Sequence, residues 1–144
     1  MSGRSRFDPY ARQLRSSSEY QALVAHLGSV EWLPVAAAAW ICELLREDQG
    51  RPLLVVVPHE SDALSWVEAV EVLGGAAGHF STPSLTPYLA TDVSIQIRAA
   101  ESVVLDRVQR GLARTLVCTP RALFRPLPLP RDFRQLVLEL RTGK

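Results

Sequence analysis

The run Pro52-Leu53-Leu54-Val55-Val56-Val57-Pro58 constrains this 144-residue chain more than any other segment. It is uninterrupted, apolar and Val-rich, with a proline at each end, the pattern of a central parallel strand covered on both faces. A parallel strand reaches its neighbour only through a crossover, usually a helix. The rest of the chain has that alternation. A second parallel-type strand is expected at Thr115-Leu116-Val117-Cys118-Thr119 and a weaker one from Ala76 to Phe80. Between them, Ala63, Val67, Val70 and Leu73 mark a helix face, with Ser61 or Asp62 as cap and Gly74-Gly75 as stop. Ser94 to Leu112 is a longer helix whose inner stripe is Ile97, Ala100, Val104 and Val108. The pattern implies an α/β domain of three layers with a mostly parallel sheet.

Upstream, Pro34 to Arg46 is apolar nearly all round, as in a helix packed on several sides, and Asp48-Gln49-Gly50 stops it. Residues 1–18, with Arg4, Arg6, Arg12, Arg15 and three consecutive serines, read as a flexible arm in which Pro9 to Leu14 form a helical turn. Ser18 is expected to cap a helix from Glu19 to Leu27, although Ala22 to Leu27 also fits a short strand. Near the other end, Pro120 to Phe124 starts a short helix and Pro126-Leu127-Pro128-Leu129-Pro130 is a stiff connector. Gln135 to Leu140 is a last strand candidate. Its apolar edge would pair readily with another chain. Residues 19–144 are therefore expected to be a fragment of a longer module that in isolation homodimerises or exchanges strands, or covers this edge with its own residues 1 to 18.

Net charge is +1, but it is unevenly distributed. Residues 1–100 hold 7 arginines and 11 acids, whereas residues 101–144 hold 8 arginines, one lysine and 4 acids. Arg107, Arg110, Arg114, Arg121, Arg125, Arg131, Arg134 and Arg141 supply charge with few aromatics between them, so at most weak, salt-sensitive DNA contact is expected. Cys42 and Cys118 sit singly in apolar runs and read as reduced core residues of a cytoplasmic protein. No apolar stretch approaches a membrane span. His26, His59 and His79 have no zinc spacing, and Ser65 and Ser81 lack a nucleophile elbow, so neither a metal site nor an acyl-transfer residue is expected. Trp32, Trp40 and Trp66 fit core packing better than base stacking. His59-Glu60 follows a strand end, where α/β proteins place ligand-binding residues, but Pro58 to Asp62 also reads plainly as a capping loop.

Leu27-Gly28-Ser29-Val30-Glu31-Trp32-Leu33-Pro34-Val35 lies where a nucleotide-binding loop would stand before its helix. Such a loop needs a second glycine, then lysine, then a hydroxyl that holds Mg²⁺. Here Gly28 remains, while Leu33, Pro34 and Val35 occupy those three places. The sequence thus reads as a degenerate P-loop with no cofactor, metal or catalytic residue. Gly28 and Pro34 equally fit an ordinary helix entry.

These segments, with Gly50-Arg51-Pro52, Leu85-Thr86-Pro87-Tyr88, Asp92-Val93-Ser94 with Arg98, Val117 to Leu123 and Leu136 to Gly143, together resemble the UvrB-like N-terminal module of bacterial transcription-repair coupling factors. The resemblance covers roughly residues 27 to 143. It implies a RecA-like lobe descended from a helicase motor that lost its nucleotide site. It also implies a non-catalytic structural and protein-interaction role in transcription-coupled nucleotide excision repair. The DNA-wedging hairpin of UvrB would fall between Phe80 and Asp92, where this chain has only an 11-residue loop, favouring the coupling factor. The implied partners are the rest of the coupling protein and the damage sensor UvrA, the latter through a neighbouring domain outside this chain. Two rival expectations stand beside it. One is an active helicase-type NTPase lobe, opposed by Val117 running into Cys118-Thr119-Pro120 where a Mg²⁺-holding acid would be needed. The other is a small-ligand-binding α/β module using the loops after Val57 and Thr119.

Overall fold

In the computed structural model the described residues are 8–26, 33–81, 95–124 and 126–136. They form helices α1 (Asp8–Arg15), α2 (Ser18–His26) and α3 (Val35–Gln49), then strand β1 (Leu53–Val56) and helix α4 (Glu60–Val72). Strand β2 (Ala77–Phe80), helix α5 (Ile95–Gln109), strand β3 (Thr115–Cys118) and helices α6 (Pro120–Leu123) and α7 (Pro130–Leu136) follow. The chain is a mixed α/β fold around one parallel sheet in the order β1-β3-β2. Of the three described strands the last in sequence is therefore the central one. Leu53 and Ala77 both align with Thr115, and Val56 and Phe80 both align with Cys118.

This order dictates where the helices lie. The crossover from β1 to β2 steps over the place of β3, and the crossover from β2 to β3 runs back in the opposite direction. Right-handed crossovers in opposite directions put their helices on opposite faces. On one face Val55, Val57 and Val117 pack with Ala63 of α4, joined by Leu53, Trp66 and Val67. Ala39 of α3 meets Val70 and Ala77 on the same side. On the other face Phe80, Cys118 and Ala122 pack with Leu105 and Leu116. There α5 comes so close to β2 that a Cβ on Gly78 would lie 2.9 Å from a methyl of Val104.

Several expectations change in detail. Among the described residues the Val-rich run is an edge strand, and its second face is half exposed: Leu54 and Val56 are 50% and 46% exposed. An apolar run reports that a strand is apolar, not that both faces are covered. Of the inner stripe expected for α5, Val104 packs on β2, whereas Ala100 is exposed and Glu101 is buried in its place. Ser17, not Ser18, caps α2, its hydroxyl accepting the Tyr20 N–H at 3.2 Å. The segment open to either reading is helical through His26. His59, not Ser61 or Asp62, stands at the start of α4. Pro34 precedes α3 rather than opening it, and Gly50 ends that helix in the left-handed conformation with φ 63°. Gln135 and Leu136 of the last strand candidate belong to α7, whereas 137–140 lie outside the described residues.

Within residues 1–18, α1 buries Ala11 against Tyr20 and Leu44, with Leu14, Val24, Trp40, Ile41 and Leu45 around them. A polar clamp closes this contact. The Tyr20 hydroxyl donates to Asp48 at 2.7 Å, Arg15 Nε donates to Asp48 at 2.9 Å, and Arg15 Nη2 donates to Glu47 at 3.0 Å. Burial acts to raise the Asp48 carboxyl, but the bonds from Tyr20 and Arg15 outweigh it and hold the group below its ordinary value. A lowered carboxyl contributes stability above its unfolded pKa and loses it as pH falls through the folded one. Wild type should therefore lose stability below about pH 4 more steeply than Asp48→Asn, by on the order of 1 kcal/mol, in urea unfolding at pH 6 and pH 3. Equal acid slopes would refute the clamp.

Glu43 is buried in α3, where its carboxylate accepts the Thr115 hydroxyl of β3 and takes Arg46 Nε at 2.8 Å. Removing it leaves a largely buried guanidinium with only the longer contact to Glu47, at 3.8 Å, and deprives a fully buried hydroxyl of this acceptor. Glu43→Ala should cost about 3 kcal/mol and Thr115→Val only about 1 kcal/mol in equilibrium unfolding. Equal effects would show that the ion pair contributes nothing beyond the hydroxyl bond.

Candidate functional site at the carboxyl edge of the sheet

Ligands of open parallel sheets bind beyond the carboxyl ends of the strands, where neighbouring connections leave toward opposite faces. That point here lies between β1 and β3. The chain leaves β1 into α4 on one face, and it leaves β3 into α6, whose Ala122 packs on the other. The Val57 N–H bonded to the Cys118 carbonyl at 2.9 Å closes the strands at this end.

Three polar side chains converge there. Glu60 stands in the first turn of α4, His79 on β2 and Thr119 just after β3. His79 Nε2 lies 2.7 Å from one Glu60 oxygen, and the Thr119 hydroxyl donates to the other at 3.3 Å. Both carboxylate oxygens are thus engaged inside the cluster. The sequence placed Glu60 and Thr119 after strands but treated His79 as isolated. Only the strand order brings β2 to the same edge. The signal available was the position of His79 near the end of a short strand.

This arrangement is poor machinery for phosphate or acyl transfer. A carboxylate at the edge repels phosphate, and Thr119 is turned toward Glu60 instead of toward the imidazole. Cys118 is fully buried, and burial followed by the Glu60 charge pushes its thiol up, away from the reactive thiolate. Among the described residues no group of three His, Cys, Asp or Glu could hold a metal ion.

Of the degenerate loop positions, Gly28 lies outside the described residues, as do Trp32, the Leu85 to Tyr88 loop and Asp92-Val93-Ser94. Leu33 and Pro34 are exposed ahead of α3, Pro34 makes no side-chain cap, and Val35 is the first helical residue. Val35 also forms one end of an apolar groove of about 690 Å³ between α3 and α4, lined with Tyr10, Trp40, Glu68, Ala69 and Val72. Small-ligand pockets combine apolar walls with a few polar groups that fix orientation. The hydroxyl of Ser65 in this groove is directed back to the Ser61 carbonyl at 3.2 Å, leaving Glu68 as the polar wall. Trp40 and Trp66 both pack against core clusters. No helix among the described residues is long and apolar enough to cross a membrane.

Compared with protein-family models, curated proteins and solved structures, the chain matches none. The site therefore rests on its own chemistry. In the native protein Cys118 should resist a thiol reagent such as Ellman's, while half-buried Cys42 reacts first. Fast labelling of Cys118 without unfolding would show that the carboxyl edge opens.

Proposed function

We propose that the chain is a non-catalytic protein-interaction lobe, RecA-like with a degenerate P-loop, belonging to a transcription-coupled nucleotide excision repair protein of the coupling-factor type. The observation that carries this reading is the start of α3. Where a phosphate-binding helix would present lysine and a hydroxyl, Pro34 and Val35 present only hydrocarbon, and Val35 continues into the apolar groove. Helix N-terminal N–H groups alone attract anions weakly without a cation and a metal ligand beside them.

Two further features support it. The strand that would carry a Mg²⁺-holding acid ends in Cys118-Thr119-Pro120, and the carboxyl of Glu60 beside it is engaged with His79 and Thr119. An apolar opening lies on the helical face, away from the sheet edge where nucleotides sit. In this reading the lobe acts through its surface on the rest of the repair protein, while recruitment of UvrA belongs to a neighbouring domain. DNA contact is weak and salt-sensitive.

Titration calorimetry with Mg-ATP should give no binding in the micromolar range. A saturable heat there would overturn the proposal and favour the NTPase reading.

A further inference from the structure

We infer that the α3/α4 groove docks the basic apolar segment 120–136 of a second copy of this chain, so that copies join head to tail. The inference rests on reading the groove as a protein-docking surface. Two surfaces are complementary in both polarity and charge. The groove is apolar with Glu68 in its lining, and the helix α4 beside it also carries Asp62 and Glu71 with no basic residue. Val72 at its rim is 72% exposed. Segment 120–136 presents Phe124 at 88% exposure, together with exposed Leu123, Leu127 and Leu129. Arg121, Arg131 and Arg134 accompany them, against Asp132 alone among acids.

An aromatic residue this exposed beside arginines has the composition of an interface centre. The matching surface cannot be the molecule's own groove. Ala122 packs against Phe80 and Cys118, and the Gln109 side chain donates to the Pro130 carbonyl at 3.1 Å, so the segment is held on the α5 face. The groove lies on the opposite face, between α3 and α4. Two different patches on opposite sides make a heterologous contact, which leaves one groove and one segment free at the ends. Association then continues past the dimer unless the rotation closes a ring.

Sedimentation velocity on the whole chain, from about micromolar to millimolar, tests this directly. The weight-average coefficient should rise past the dimer value and fall back in about 1 M salt. Phe124→Asp and Val72→Asp change exposed side chains, and each alone should weaken association at least about tenfold. Mixed together, they should form a one-to-one pair that grows no further, because one variant keeps its groove and the other its segment. A monomer at every concentration, a dimer that stops at two in wild type, or a mixture that does not pair would overturn the inference. The neutral dye Nile red separates this from the underlying reading. Dye emission equal in wild type and Val72→Asp removes the docking reading itself. Dye capture that Val72→Asp abolishes, by a chain that stays monomeric, overturns only self-association.

Discussion

The buried carboxylate of Glu43 holds the helical layer to the sheet. It belongs to α3, yet its hydroxyl partner Thr115 belongs to the central strand, and its cation Arg46 lies one turn further along α3. An anion at that depth is tolerable only when both partners are in place. The position of α3 on the sheet therefore follows from a polar requirement as much as from the packing of Ala39 on Val70 and Ala77. With α3 set, the groove against α4 and the platform for α1 and α2 are set too. The clamp of Arg15 and Tyr20 on Asp48 anchors the N-terminal helices to the far end of that same helix.

The carboxyl edge shows what such a fold looks like when its polar groups face one another. Glu60, His79 and Thr119 bond to one another, and the neighbouring thiol is fully buried. Among the described residues, apolar surface is exposed in the groove, on β1 at Leu54 and Val56, and around Phe124. Exposed apolar area of that kind marks protein contacts more readily than catalysis.

Much of the element order was legible in the sequence because it depends on local chemistry. The apolar runs, Gly50 and the crossover helices each carry their own signal. What was not legible depends on strand order. A Val-rich run looks the same in a central strand and in an edge strand with one open face, and only the insertion of β3 between β1 and β2 decides between them. The pairing of His79 with Glu60 follows from that insertion as well. Glu43 was visible as a charge in a buried helix, but its partner lies 72 positions away and has no local signature. The same holds for the groove, which arises where the small Ala36 and Ala37 of one helix meet Ala69 of the next.

The strand order also governs how such a chain can be made. Among the described residues β1 and β2 pair with β3 and not with each other, so neither gains its described neighbour until Thr115 to Cys118 exist. During synthesis from the N-terminus, helices α1 to α3 can collapse early on local contacts, whereas Leu53 to Val57 wait with unpaired backbone and apolar side chains. That interval is the time at which the nascent chain is most open to misassociation. A chaperone or a slow ribosome would act there, on a strand whose partner has not yet been translated.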